Sequence, residues 1–311
     1  MIELIMEPHT PPMSWEQFCR VTPPYSIAID GYVNTGPRYQ KPRQGGPRAN
    51  YNHHEEVARL PTRATCAQVL LETRLGLFEA FRVGSEPTCK VFANDCDYDV
   101  CATWVVLKHS WIAEQVINPQ LNKLISAVDF LDTTGGAYPY PKDMPLLRHL
   151  AWVFEPYTDF RFSGQILKRI PHQFVAVVEN VESRILDFLQ GNGKTLPLNF
   201  TYEVLGGGSN WKMVREIGPQ ARTKILFDGI KAYISVREGE AGVYHYTFFR
   251  ISDKIDFDVP GIIGAANRLE NDPTRTHGGG DTIGGTDRDK GSKISPELML
   301  KLVLDHQASL K

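Results

Sequence analysis

Long apolar runs are missing from this chain: across 311 residues, no stretch approaches the roughly 18 to 20 apolar residues that a membrane helix needs. No membrane partner is expected. The opening residues, MIELIMEPHTPPMSWEQF, place acids and prolines where a secretion signal needs a basic start and an apolar stretch, so a cytoplasmic location is expected. A surplus of one charge is missing too. Against 36 Asp and Glu stand 34 Lys and Arg, a formal net charge of −2, which gives no whole-chain field for gathering long nucleic acid by counterion release. A local basic groove stays open. Cysteine is scarce: Cys19, Cys66, Cys89, Cys96 and Cys101 form no CxxC pair, and an odd number cannot close a complete disulfide framework within one chain. They read as reduced thiols. Cys96 and Cys101 flank a run of acids, where small residues packed at a strand end and a zinc site are both open readings.

What the chain does have is 42% hydrophobic and 23% charged residues, ordinary for a folded protein of enzyme size, and a length beyond that at which one core usually stops growing. Two domains are expected. The stretches SIAIDGYV (26–33) and CKVFAND (89–95) have the composition of strands, while TRATCAQVLLETRLGLFEAF (62–81) and VCATWVVLKHSWIAEQVI (100–117) have helical spacing. This alternation predicts an α/β fold with a mainly parallel sheet. Residues 34–50, NTGPRYQKPRQGGPRAN, are dense in Pro, Gly and Arg and read as an exposed loop, either a solvated connection or a cationic flap. The segment 171–194, PHQFVAVVENVESRILDFLQGNGK, has the pattern of an amphipathic helix ended by Gly-Asn-Gly. It is expected to connect a front domain, 1–170, to a smaller α/β domain, 195–311. The latter would use the β-rich stretches TKILFDGIKAYISVRE and GVYHYTFFRI and the helix-like GIIGAANRLE.

Four places in the front half put metal-ligand residue types at or near the ends of expected strands and apolar segments, and open α/β sheets bind ligands at strand ends. Asp30 closes SIAID, as a turn residue or as a ligand. His53 and His54 follow Asn52 in ANYNHHEEV; adjacent imidazoles can divide labour, one ligating metal while the other donates to a phosphate oxygen. Asp95, Asp97 and Asp99 alternate between an apolar strand and an apolar helix. Three carboxylates this close repel one another, and a cation among them relieves the repulsion; oxygen donors suit manganese or magnesium. The bland alternative is an acidic turn that caps the helix. Asp129 and Asp132 lie in LISAVDFLDTTGGAYP, where Asp-Thr and glycines close another apolar segment. Far downstream, HGGGDTIGGTDRDKGSK (277–293) offers unobstructed backbone at Gly278, Gly279 and Gly280, with Arg288, Lys290 and Lys293 nearby. Such a loop can cradle a phosphate, although it lacks the Gly-Lys-Ser/Thr spacing of a Walker loop.

Together these motifs resemble those of the DHH phosphoesterase superfamily, which holds family II inorganic pyrophosphatases, oligoribonucleases, single-strand exonucleases and cyclic-dinucleotide phosphodiesterases. Asp97-Tyr98-Asp99-Val100-Cys101-Ala102-Thr103 resembles the first motif, an Asp-x-Asp before a helix that starts with small residues. Asp30 resembles the lone Asp of the second. Asn52-His53-His54, with Ala64-Thr65-Cys66-Ala67 downstream, resembles the Asp-His-His third motif, and Asp132-Thr133-Thr134-Gly135 resembles the Asp-Thr-Gly fourth. The glycine loop resembles the Gly-Gly-Gly-His loop of the associated C-terminal domain, with Asp281 where that pattern has histidine. Asn52 stands where the third motif has aspartate, Ala93 stands where a histidine precedes Asp97, and the motif order here is second, third, first, fourth.

The resemblance implies a manganese-dependent hydrolase of phosphate esters or anhydrides, acting on a small phosphorylated substrate or a short oligonucleotide in an inter-domain cleft. A homodimer is one assembly open to it. It implies two Mn2+ (or Mg2+) ions held by Asp30, His53, Asp97, Asp99 and Asp132, with Asp95 and Asp129 as further candidates, and a water acidified for in-line attack on phosphorus. His54, Asp97 and Asp99 would form the catalytic centre, with His54 donating to the substrate phosphate. Gly278, Gly279, Gly280, Arg288 and Lys293 would hold the rest of the substrate. The rival expectation is a catalytically weak DHH-like regulatory protein that binds nucleotides or nucleic acid.

Overall fold

Ile27, Ala28 and Ile29 are all fully buried, so both faces of their strand are covered, as happens inside a parallel sheet flanked by helices. The computed structural model describes residues 1–114, 118–138, 140–141, 144–239, 242–287 and 290–310, and the chain divides into two compact units. The first comprises Met1–Thr133 and Pro145–Pro197. It begins with β1 (Ile2–Met6), α1 (Trp15–Val21), β2 (Ser26–Ile29), β3 (Arg38–Gln40), β4 (Arg48–Tyr51), α2 (Thr65–Arg74) and α3 (Leu77–Ala80). A small hairpin of β5 (Arg82–Val83) and β6 (Glu86–Pro87) leads to β7 (Cys89–Ala93) and α4 (Tyr98–Lys108). The helices α5 (Ser110–Glu114), α6 (Pro119–Thr133), α7 (Pro145–Val153), α8 (Glu155–Phe162) and α9 (Pro171–Leu189) complete the unit. The sheet order is β1-β7-β2-β4-β3, parallel throughout except for the antiparallel edge strand β3. The C-terminal ends of β7, β2 and β4 therefore lie side by side.

Several segments differ from the expectations of sequence, beginning with three in the first unit. Residues 34–50 are not all loop, since they contain β3 and most of β4. The polar residues there find partners that composition does not reveal: Asn50 Nδ2 donates to Thr35 O and Gly36 O at 2.9 and 3.0 Å, and Arg48 Nη2 donates to Thr22 O at 2.7 Å. The helical stretch 62–81 breaks at Gly76, whose φ of 106° admits no ordinary side chain. The stretch 100–117 holds two helices, α4 and α5, and its last three residues lie outside the described ones.

Helix α9, expected as a connector, packs within the first unit against α4, α7 and α8, burying Val178, Val181 and Ile185. Its buried Glu182 accepts hydrogen bonds from Trp104 Nε1 (2.7 Å) and Lys108 Nζ (3.1 Å), and lies 2.8 Å from His109 Nε2. Burial alone would raise this carboxyl, but His109, Lys108 and Trp104 prevail and hold it down to about 2, against about 4.5 in an unfolded chain. The folded value is the lower one, so the stabilisation is fully present above about pH 4.5 and is lost as pH falls towards about 2. Its size is about 1–3 kcal/mol. Melting wild type and Glu182→Gln side by side should show a lower Tm for the variant at pH 7 and a much smaller gap at pH 3; an unchanged gap would show that the ionised carboxylate does not tie α9 to α4.

The second unit comprises Thr134–Met144 and Leu198–Lys311. Its elements are β8 (Tyr202–Gly207), β9 (Lys212–Glu216), α10 (Ala221–Phe227), β10 (Ala232–Glu238), β11 (Tyr244–Arg250), α11 (Val259–Glu270), β12 (His277–Gly279), β13 (Ile283–Thr286) and α12 (Pro296–Ser309). The sheet runs β12-β13-β11-β10-β9-β8, antiparallel except between β9 and β10. Phe248, Ile234 and Val236 of the sheet join Ile262 and Ala266 of α11 and Met299 and Val303 of α12 in one core. The β-rich stretch 223–238 starts as helix α10, because a short apolar run such as TKILF buries equally well in either form. The protein is thus mixed α/β, and among the described residues no helix is long and apolar enough to cross a membrane.

The glycine-rich segment is a β-hairpin rather than an irregular loop, with Gly278 opposite Gly285 and Gly279 opposite Gly284. Gly279 has a φ of 141°, and a Cβ there would come within 2.3 Å of Gly284 Cα. Gly279→Ala should therefore lower the stability of the second unit by at least about 1–3 kcal/mol, read as a drop in its melting transition. An unshifted transition would mean that the hairpin can open without cost.

Candidate metal centre

Parallel strands deliver their following residues to one edge of the sheet, and β2, β4 and β7 hand over Asp30, Asn52-His53-His54 and Asp95-Asp97-Asp99 respectively. Asp30 leaves β2 in the left-handed conformation, φ 49°, a departure that Asp tolerates better than most residues but at a cost of order 1 kcal/mol. Its N–H is held by Tyr51 O at 2.9 Å. Asn52 is fully buried, and its Nδ2 donates to Val33 O, Thr35 O and the Glu55 carboxylate, while its Oδ1 receives the N–H of His54 at 3.0 Å. An aspartate has no N–H to offer these acceptors. The amide therefore shapes the turn that presents both histidines.

Two overlapping trios come together here, Asp30-His53-His54 and His53-Asp99-Asp132, each with ligand-type atoms within 4.8 Å of one another. His53 Nε2 lies 2.6 Å from Asp132 Oδ2, 3.5 Å from Asp30 Oδ1 and 3.8 Å from Asp99 Oδ2. The His53 side chain is wholly buried, its Nε2 faces carboxylates alone, and its Nδ1 has no hydrogen-bond partner. A buried polar atom without a partner costs free energy, and an imidazole nitrogen beside three carboxylates could hold a metal ion.

The electrostatics show the same tension. Burial would push the His53 imidazole down, but Asp132 and Asp30 hold it up to about 10. Asp30 is drawn below the usual carboxylate range by His54 and His53 in spite of its burial. Asp99 is driven the other way, up to about 7, by burial and by the charges of Asp30 and Asp132. Asp97 is also pushed well up, by burial and by Asp30, Asp95, Asp132 and Asp99. A bound cation would relieve the repulsion among these carboxylates.

The remaining residues singled out in the sequence fall elsewhere or serve the backbone. Asp97 belongs to neither trio; it is the N-cap of α4, with Oδ1 accepting the Val100 N–H at 3.0 Å. Asp99 binds the N-terminus of α2 through both oxygens, which accept the Thr65 and Cys66 N–H groups at 2.7 Å each. Asp95 Oδ1 accepts the Cys96 N–H at 2.7 Å. Asp129, one turn before Asp132 on α6, lies outside the trios because its Oδ1 accepts from Ala64 N (2.7 Å) and Thr133 Oγ1 (3.4 Å). Both ring nitrogens of His54 are engaged, Nε2 with Asp30 and Nδ1 with Arg59, each at 2.8 Å, so this arrangement leaves no free imidazole N–H for a substrate phosphate. In the second unit, Gly278, Gly279 and Gly280 are exposed, and the N–H of Gly280 is committed to Ile283 O. Lys293 is exposed, with its backbone N–H on the Glu270 carboxylate, and Arg288 lies outside the described residues.

Arg59 was not legible as a site residue. It follows His54 by five positions in an unpatterned turn, and its partners besides His54 include two main-chain oxygens more than 70 positions away. No protein-family model matches the chain, and no curated protein matches it.

Proposed function

We propose that this protein is a metal-dependent hydrolase of phosphate esters or anhydrides, of the DHH phosphoesterase kind, acting on a small phosphorylated or nucleotide substrate. The supporting observation is the convergence on the buried His53 Nε2 of three carboxylates, Asp132 Oδ2 at 2.6 Å, Asp30 Oδ1 at 3.5 Å and Asp99 Oδ2 at 3.8 Å. His53, Asp99 and Asp132 would hold one divalent ion, manganese or magnesium, and Asp30 with Asp97 would complete the site of a second. Such ions acidify water and neutralise charge on a phosphoryl group.

The chain's own contribution is to hold the ligands still. Asp99 is fixed by the α2 N-terminus, His53 by the Asn52 turn, and Asp30 by the His54 ring. Orientation of this kind carries much of the rate in phosphoryl transfer, where positioning and electrostatic stabilisation do the work.

The test is to titrate the metal-free protein with Mn2+ by calorimetry and then assay a phosphodiester, pyrophosphate and a dinucleotide. Saturable uptake with turnover of one of them is expected. Absence of metal uptake would end the proposal, whereas metal uptake and nucleotide binding with no turnover would favour the regulatory reading, which Ala93 in place of the motif histidine supports.

A further inference from the structure

We infer that Arg59 is a positioning residue for the reaction proposed above, on which this inference rests: it fixes the tautomer of His54 and ties the His53-His54 turn to the last turn of α6. Its guanidinium meets three acceptors. Nη1 lies 2.8 Å from His54 Nδ1, Nη2 donates to Asp132 O at 2.9 Å, and Nε donates to Thr133 O at 3.3 Å. Nη2 is also 3.7 Å from Asp132 Oδ2, and only 19% of the side chain is exposed.

The direction of each hydrogen bond follows from the one before it. A guanidinium donates only, and it stays protonated in proteins, so His54 Nδ1 must accept and its ring carries its proton on Nε2. That proton faces Asp30 Oδ1 at 2.8 Å. Arg59 thereby directs His54 onto Asp30, and the same plane of donors grips the successive carbonyls of Asp132 and Thr133. The metal-ligand residues come from strand ends and from α6, and Arg59 links both groups: it reaches Asp30 through His54, and Asp132 through that residue's own carbonyl. Partners of this sort typically change metal affinity or activity by about 10- to 100-fold when removed.

A flat fork of donors cannot be reproduced by an ammonium on a flexible stem, so charge alone will not substitute. Arg59→Ala and Arg59→Lys should each weaken Mn2+ binding by about 10- to 100-fold by calorimetry, and guanidinium chloride at millimolar concentration should restore part of the affinity of Arg59→Ala but none of that of Arg59→Lys. The double variant Arg59→Ala with His54→Ala should lose less Mn2+ affinity than the sum of the two single losses, since one arm of the guanidinium acts through His54. Nitrogen-detected NMR of metal-free wild type should show the Nε2–H tautomer of His54, and Arg59→Ala should lose that uniform signature.

Wild-type Mn2+ affinity in both Arg59 variants, additive losses in the double variant, or an Nδ1–H tautomer in wild type would each overturn the assignment. Arg59→Lys keeps the charge and carries the test if Arg59→Ala does not fold. Failure of the metal centre itself gives a different result: wild type would then take up no Mn2+ at all.

Discussion

Asp132→Asn should abolish metal-dependent hydrolysis while leaving the metal-free protein folded. The substitution keeps the shape of the side chain and removes its charge and one of its acceptor oxygens. Asp132 Oδ2 is the partner of the buried His53 Nε2, 2.6 Å away, and its charge helps to hold that ring up to about 10, so the neutral amide should lower metal-free stability by about 1–3 kcal/mol, a drop of a few degrees in Tm. The metal-loaded protein should behave very differently. A ligand present at a hundred times its dissociation constant stabilises the state that binds it by about 2.7 kcal/mol, or roughly 5–10 °C for a unit of this size. Wild type should show that rise with Mn2+, and Asp132→Asn should not. Turnover should fall by more than about a hundredfold, beyond the range typical of merely supporting residues. A variant that still melts higher with manganese and retains its activity would remove Asp132, and with it the His53-Asp99-Asp132 trio, from the proposed chemistry.

The second large effect separates structure from ligation at one residue. Asp99 is fully buried and accepts two backbone N–H groups at the start of α2, where a negative group also meets the positive end of the helix dipole. Asp99→Ala leaves both donors without a partner in the interior, at about 1–3 kcal/mol each, so metal-free stability should drop by about 2–6 kcal/mol. Asp99→Asn retains one acceptor oxygen and turns an amide NH2 towards the other donor, so it should melt between wild type and Asp99→Ala. Both variants should lose the manganese-dependent rise in Tm. The order wild type, Asn, Ala in metal-free melting is the structural signature. If Asp99→Ala melts with wild type, the carboxylate does not hold α2, and the two hydrogen bonds are dispensable.

The parallel core was readable because its strands are buried on both faces. Ile27 to Ile29 and Val91 to Ala93 are short apolar runs bounded by turn residues or acids, and the helix after β7 is apolar on nearly every side, as a helix covered by both sheet and neighbours must be. Elements stabilised by distant polar partners were not readable. β3 and β4 lie in a stretch whose Arg, Pro and Gly content suggests a loop, and the carbonyls that accept from Asn50 and Arg48 are invisible in the local pattern. At the candidate site, the residue types were legible and their division of labour was not. Crowded acids announce a problem that a cation solves, but whether a given acid faces the cluster or a helix end depends on which N–H groups the fold brings to it. Asp129 and Asp132 show this, being three residues apart on α6 and turned to different tasks.

Asp132 sits one residue before the end of α6, whereas Asp30, His53 and Asp99 all lie in the first third of the chain. During synthesis, a ribosome that has delivered the polypeptide through α4 has already made three of the four corners, yet the fourth still waits to be translated. Capture of a cation by the complete set must follow the emergence of α6, so a tightly held ion would mark a newly made chain whose early and late segments have already found each other.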